Sequence, residues 1–389
     1  MSNGPLGGPH FLQTPGPTNV PNRVLRALSR PTIDHRGPQF AELTFRLQAQ
    51  LSAVFGTKNP VIVYPSSGTG AWEAALVNTL SPGASVLAFE TGHFATLWRD
   101  MAIRLGLEVC FVPGDWRHGV DPDLVEQRLR DDADGEIAAV MVIHNETSTG
   151  VRSRIPEIRA AIDRAGHPAL LLVDVISSLA SIDYRHDEWR ADVTVGSSQK
   201  GLMLPPGLGF NAISQKAIAA ASEARLIRSY WDWRPILEAN RSGFYPYTPP
   251  TNLLFGLAEA LDMLEEEGLK AVFRRHDKLA AATRAAVAAW GLEVLCADQR
   301  EYSSSVTAVL VPDGRNASEV NRIALERFNL ALGVGLGKLS GKVFRIGHLG
   351  HFNELALAAT LSGAEMALAQ ACVPIKRGGV DAALSVLEL

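Results

Sequence analysis

Two side chains in the stretch 171–210 set the chemistry that this sequence offers. An apolar run, 171–173, ends on the carboxylate of Asp174. A second run, 192–196, ends in the hydroxyl-rich turn Ser197-Ser198-Gln199 that carries Lys200. A lysine set in a tight polar turn before Gly201 suits an amine that joins a carbonyl covalently and later shuttles protons. A carboxylate behind three apolar residues is hard to ionise unless a cation sits beside it. Pyridoxal 5'-phosphate requires both: Lys200 to hold it as a Schiff base, and Asp174 to keep the pyridine nitrogen protonated so that the ring draws electrons from an amino acid that loses its Cα proton. On these residues alone the other reading of Lys200, a solvated surface lysine, stays open.

Further clusters offer what such a cofactor and its substrate need. The run 61–64 enters Pro65-Ser66-Ser67-Gly68-Thr69-Gly70, and a helical pattern starts at Ala71. Strand, small-residue turn and helix is the order that aims backbone N–H groups at an anion, so Ser67, Gly68 and Thr69 would hold a phosphate; such turns also occur without a ligand. No GK[ST] follows, which excludes a Walker loop. Phe94, after the run 85–89 and the link Glu90-Thr91-Gly92-His93, either stacks on a flat ligand or packs in the core. The run 138–143 ends in His144-Asn145-Glu146-Thr147-Ser148-Thr149-Gly150, too polar for a plain turn. Arg345 interrupts the apolar strand pattern Val343-Phe344-Arg345-Ile346-Gly347, where a guanidinium is costly without an anion, so it is assigned to a substrate carboxylate. Gly333-Val334-Gly335-Leu336-Gly337-Lys338 has Leu332 where a phosphate loop needs glycine, and reads as a flexible loop.

Positioning these groups takes a layered α/β scaffold. Strand-like runs at 61–64, 85–89, 107–112, 138–143, 171–173 and 192–196 alternate with helical patterns, which predicts a mostly parallel, doubly wound sheet. Polar clusters follow most of those runs, and a crevice at the carboxyl ends of the strands would gather them. A long helix at 252–267 leads to strands at 293–296, 305–311 and 342–346 and helices at 318–327 and 354–371, an α+β pattern. The division expected is an N-terminal arm at 1–20, mobile at its Gly/Pro-rich start, a large domain at 21–265 and a smaller C-terminal domain at 266–389. Residues 11–38 read as packed loop with one short helical pattern at 24–28.

Composition excludes more than it selects. A net charge of −4 with no block of like charge gives no field for nucleic acid or anionic membranes. No leader pattern opens the chain and no stretch is long and apolar enough to span a bilayer. Cys110, Cys296 and Cys372 lie far apart, without metal-ligand or disulfide spacing, so no metal is expected and a reducing cytoplasm fits.

With these residues in place the sequence resembles the class V aminotransferases of fold type I, in particular the group acting on serine or alanine with glyoxylate. The similarity runs from Pro15 to Gly378 through PGPTNVP, SSGTGAWEAALVNTLSPG, HNETSTGV, LLVDVISS, GSSQKGLMLPPGLGF, YPYTPP and GKVFRIGHLG. FETGHFATLW and Trp231-Asp232-Trp233 bring it nearest the serine-glyoxylate members. The resemblance implies that Lys200 and Asp174 are catalytic, that Thr147 donates a hydrogen bond to the cofactor's ring oxygen, and that Phe94 stacks on the ring where relatives often carry Trp. It places Gln199 near the phosphate beside Ser67, Gly68 and Thr69. It has Tyr245 and Thr248 reach the phosphate of a neighbouring subunit, which makes the protein a homodimer with shared sites. Arg345 would bind the substrate carboxylate. Arg36, a solvated charge on the residues alone, would touch substrate. Ser197-Ser198 where relatives often have Gly-Ser, and Val175 where they often have a small residue, remove no required group.

The implied reaction is a ping-pong transfer of the amino group of L-serine to glyoxylate, giving hydroxypyruvate and glycine; alanine or aspartate as donor is the alternative. A lyase of the same fold, such as a desulfurase, would need a nucleophilic cysteine on a mobile loop, and the three cysteines fall in strand patterns or at a helix end. A nucleotide-binding or non-enzymatic α/β protein is disfavoured by the lack of GxGxxG and Walker spacings.

Overall fold

The computed structural model describes residues 9–387, so the first eight residues of the expected arm lie outside the described residues. A seven-stranded sheet organises the larger part of the chain. Its spatial order is Val61–Ser66, Gly207–Ile213, Val193–Ser197, Leu170–Asp174, Ile137–Ile143, Ser85–Phe89 and Glu108–Val112. Gly207–Ile213 is antiparallel to both its neighbours, and the remaining strands share one direction. Successive strand residues enter opposite layers: Val61, Val63, Leu171 and Val173 join one core, whereas Ile62, Tyr64, Leu170 and Leu172 join the other. Burial on both faces explains why these strands read as continuous apolar runs rather than as alternating ones. Helices Pro38–Phe55, Ile155–Ala165 and Thr251–Glu267 cover the first layer, and Gly68–Thr79, His93–Arg104 and Trp233–Asn240 the second.

A second sheet of five strands runs Phe11–Gln13, Leu330–Val334, Val343–Gly347, Val306–Leu310 and Glu293–Val294. It packs on helices Leu269–Trp290, Ala317–Phe328 and Glu354–Gln370 around a separate core containing Trp290, Phe344 and Leu361. The architecture is the α/β arrangement expected, a mostly parallel sheet with a smaller α+β part. Three local expectations are corrected. Phe11–Gln13, read as loop, is an edge strand parallel to Leu330, Ala331 and Leu332. Gly333 and Val334, read as flexible, end a strand paired with Arg345 and Phe344. Glycine serves close approach there, because a Cβ on Gly333 would lie 2.8 Å from Pro15 Cδ and 2.9 Å from Arg345 Cβ. The antiparallel strand Gly207–Ile213 had not been expected. Among the described residues no helix is long and apolar enough to cross a membrane.

Candidate active site

Strands of the large sheet deliver their polar groups to one end. Val61–Ser66 leads to Ser67, Gly68 and Thr69; Ser85–Phe89 to Phe94; Ile137–Ile143 to Thr147; Leu170–Asp174 ends on Asp174; and Val193–Ser197 leads to Gln199 and Lys200. Asp174 and Lys200 thus come from neighbouring parallel strands, in a register that sets Asp174 beside Val195. All eight of these residues line a single cavity, together with Trp72, Ile143, Asn145 and Ile176.

Burial drives the acid and the amine in opposite directions. Asp174 is 3% exposed, and burial raises its pKa to about 7, against the pull of an Ile176 N–H at 2.7 Å on one oxygen and the Trp72 indole N–H at 2.6 Å on the other. Burial lowers Lys200 to about 8, and the cationic Arg345 pushes the same way. Lys200 Nζ donates to Pro15 O at 2.5 Å, while Thr18 ties the turn from above by N–H to Gln199 O at 3.1 Å and Oγ1 to Lys200 O at 3.0 Å. The segment 14–18 is therefore a strap across the lysine. Gly16 lies in the left-handed region at φ +105, and a Cβ there would overlap Lys200 Cδ, Cε and Nζ.

At the other end of the cavity the helix Gly68–Thr79 begins behind Ser67, whose side chain makes no cap bond. The helix N-terminus lies at the cavity end that Ser67, Gly68 and Thr69 line, and a Cβ on Gly68 would overlap Ile176 Cδ1. Ser197 Oγ and Gln199 Oε1 are buried without a hydrogen-bond partner among the described residues. Glu146, 1% exposed, accepts from Ala95 N at 3.0 Å and from Ser148 Oγ at 2.6 Å, pinning the start of the His93–Arg104 helix and hence Phe94. Arg345, 6% exposed, donates from Nε to Val334 O at 2.9 Å and from Nη1 to Thr147 O at 2.8 Å. Burial lowers its pKa to about 10, and Glu146 answers only in part. Two carbonyls thus aim a buried, only partly compensated guanidinium.

Four expected residues do not line this cavity: Arg345 reaches its wall only through Thr147 O, and three others lie apart from it. Arg36 is exposed in the turn before Pro38–Phe55, its own N–H on Asp34 Oδ1 at 2.9 Å. Thr248 is exposed, and Tyr245 packs edge-on against Phe40 at 6.1 Å. Neither Tyr245 nor Thr248 lines the cavity of its own chain. Conversely, Trp72 had been read only as part of a helix. The one sequence signal for it was its place four residues after Gly68, on the same helical face.

The donor set fits pyridoxal phosphate. A buried acid whose charge needs a cation, an amine already near neutrality, unanswered hydroxyl and amide oxygens, a helix N-terminus and an aromatic wall are each what one part of that molecule requires. The aminotransferase class-V family model matches residues 10–340. A serine-glyoxylate aminotransferase of Methylorubrum extorquens is 50% identical, with 98% of this chain and 96% of the relative covered. An L-aspartate-glyoxylate aminotransferase of Paracoccus denitrificans is 46% identical over 95% of this chain and 94% of its own length. The crystal structure of pyridoxamine-pyruvate aminotransferase from Mesorhizobium loti matches with a TM-score of 0.91 at 29% identity, covering 98% of each chain.

Proposed function

The chain belongs to the class V aminotransferases, a family dependent on pyridoxal phosphate, and we propose that it transfers the amino group of L-serine to glyoxylate, giving hydroxypyruvate and glycine by a ping-pong route. The observation that carries this reading is the single cavity in which Lys200, Asp174 and the Ser67–Gly68–Thr69 turn meet, with Arg345 bonded to its Thr147 wall. When bound, the cofactor supplies the electron sink that makes a substrate Cα proton acidic. Lys200 would anchor it, Asp174 would face its ring nitrogen, Phe94 would stack on the ring, and Thr147 would donate to its ring oxygen. Ser67, Gly68, Thr69 and Gln199 would hold its phosphate.

The residues of this chain then divide the work. Arg345 takes the donor's carboxylate in a forked pair, which fixes the Cα–H bond relative to Lys200. Lys200 Nζ, with a pKa near 8, is uncharged often enough at mildly alkaline pH to accept that proton, and Pro15 O is within reach to hold the amine. A small hydroxylated donor suits this cavity because an aspartate side chain would bring a second carboxylate, and Lys200 is the one cationic side chain among the lining residues. The aspartate reading is kept as the second, on the strength of the Paracoccus relative.

We further propose a homodimer in which Tyr245 and Thr248 complete the partner's phosphate site, which accounts for their lying outside their own cavity. Residues 21–265 and 266–389 serve as large and small domain, meeting near Gly268, where φ of 78° separates two long helices. The cytoplasm suits three free cysteines. The test is the visible spectrum of the purified protein. A cofactor band bleached fastest by serine and restored by glyoxylate is expected, fastest bleaching by aspartate would overturn the choice of donor, and a band that survives Lys200→Ala would overturn the site.

A further inference from the structure

We infer that Trp72 is a positioning residue that holds Asp174 in its ionised form and orients it toward the ring nitrogen of pyridoxal phosphate. The inference rests on the cofactor reading given above and adds a residue to it. The indole Nε1–H of Trp72 donates to Asp174 Oδ2 at 2.6 Å, and the Ile176 N–H donates to Oδ1 at 2.7 Å. Each carboxylate oxygen therefore has one fixed donor and keeps acceptor capacity for a third partner. A hydrogen bond to a buried carboxylate favours its charged form, and a charged Asp174 is what retains a proton on a facing pyridine nitrogen.

Packing alone does not account for Trp72. Its ring lies on that of Trp98, with centroids 5.6 Å apart and planes inclined by 13°. The two indoles are equally buried, at 3% and 1% exposure, yet Trp98 Nε1 has no partner among the described residues. One indole is thus a support, and the other reaches the acid. The position on the helix is informative as well. Trp72 follows Gly68 by one turn, so the helix Gly68–Thr79 presents its N–H groups and this indole to the same cavity, and a single rigid element spans the phosphate end and the ring-nitrogen end.

The test compares Trp72→Phe with Trp98→Phe, which removes the unpartnered N–H from the same stack. In cofactor-free full-length protein carrying ¹³C at the aspartate carboxyls, with Asp174→Asn to assign the signal, Trp72→Phe is expected to raise the titration midpoint of Asp174 by about one pH unit or more. That corresponds to an about tenfold or greater loss in acid dissociation, as for a hydrogen bond to a charged group. Trp98→Phe should leave the midpoint in place. In protein loaded with ¹⁵N-labelled pyridoxal phosphate, the ring nitrogen of Trp72→Phe should move toward the unprotonated shift. Should Trp72→Phe fold poorly, benzothienylalanine at position 72 keeps the indole shape without the N–H and should give the same displacement. An unmoved midpoint in Trp72→Phe or the isostere, or an equal displacement in Trp98→Phe, overturns the inference while cofactor binding stands. Wild-type protein that takes up no pyridoxal phosphate overturns the function reading and this inference with it.

Discussion

Replacing Arg345 by lysine keeps the charge and removes the fork, which isolates what the guanidinium does. Arg345 sits in mid-strand between Ala308 and Gly333, with Nε and Nη1 committed to the carbonyls of Val334 and Thr147. Its remaining N–H groups are the ones left for a substrate carboxylate. Burial that lowers its pKa to about 10 corresponds to roughly 3 kcal/mol of unfavourable charge burial at neutral pH, which an arriving anion relieves. A lysine ammonium cannot satisfy both carbonyls and also pair in parallel with a carboxylate. Losing two charge-assisted hydrogen bonds, at about 1.5 kcal/mol or more each, predicts a drop in kcat/KM for serine of about 10²-fold. The assay is the single-turnover half-reaction, read as bleaching of the cofactor band with serine and, in parallel, with ethanolamine, which is serine without its carboxylate. Arg345→Lys should slow serine and leave the poor reaction of ethanolamine unchanged. If ethanolamine slows by the same factor, or serine keeps its rate within about threefold, Arg345 is not the carboxylate anchor and the reasoning from its burial fails.

Lys200→Ala should reduce kcat by about 10⁴-fold or more, and the cofactor it retains should no longer be fixed to protein by borohydride, as mass spectrometry would show. Mixing Lys200→Ala with Tyr245→Ala protomers should restore about a quarter of wild-type activity, because half of randomly mixed dimers carry one intact site; no recovery would argue against a site shared between subunits. His276, fully buried, accepts the Gly350 N–H at Nε2 over 3.0 Å and faces Val272 O with Nδ1, and burial holds its pKa at about 4. The unfolded state binds the proton more readily, so this histidine's share of the stability is complete above about pH 6.5 and falls by about 1.4 kcal/mol per pH unit on acidification toward pH 4; burial lowers His144, His186 and His348 in the same way, so His276→Gln should lessen the slope in urea unfolding at pH 5 to 7 by about that amount and leave the rest. Gly16→Ala, which combines φ +105 with overlap on Lys200, should destabilise the fold by about 2 kcal/mol in thermal melts and displace the cofactor band.

What could be read from sequence was whatever local order carries. The apolar runs ending on Asp174 and in the Lys200 turn declared both strands and the meeting of acid and amine at one cavity, because strand and turn are contiguous there. The strand, turn and helix around Ser67, Gly68 and Thr69 were legible for the same reason. What escaped was set by partners distant in the chain. Phe11–Gln13 is a strand only because Leu330–Val334 lies open beside it, and its Pro- and Gly-rich flanks read as loop. Gly207–Ile213, buried on both faces and holding two glycines and an asparagine, shows neither alternation nor a long apolar run, yet Asn211 is satisfied by Tyr64 OH at 3.0 Å and by Ala71 O at 3.1 Å. Trp72 was invisible as a site residue because a tryptophan on a helix reads as core, and its N–H finds an acid only once the sheet is assembled.

The strap ties pieces of the two sheets together. Phe11–Gln13 belongs to the small sheet, as does the Arg345 strand, whereas Lys200 and Asp174 belong to the large one. Between them Pro15 O holds Lys200 Nζ, and the strap is pressed against the small sheet so closely that a Cβ on Gly347 would overlap Thr14 O and one on Gly333 would crowd Pro15. The carbonyl that fixes the lysine amine and the guanidinium assigned to the substrate carboxylate are therefore carried by the same small sheet. Packed elements of this kind transmit a shift as a unit rather than absorbing it. Pro15 and Arg345 both crowd position 333, where a Cβ would lie 2.8 Å from Pro15 Cδ and 2.9 Å from Arg345 Cβ, so the carbonyl on the lysine and the guanidinium are set by one packed contact. A glycine at position 16 is what lets the strap lie against Lys200, because a Cβ there would overlap that side chain.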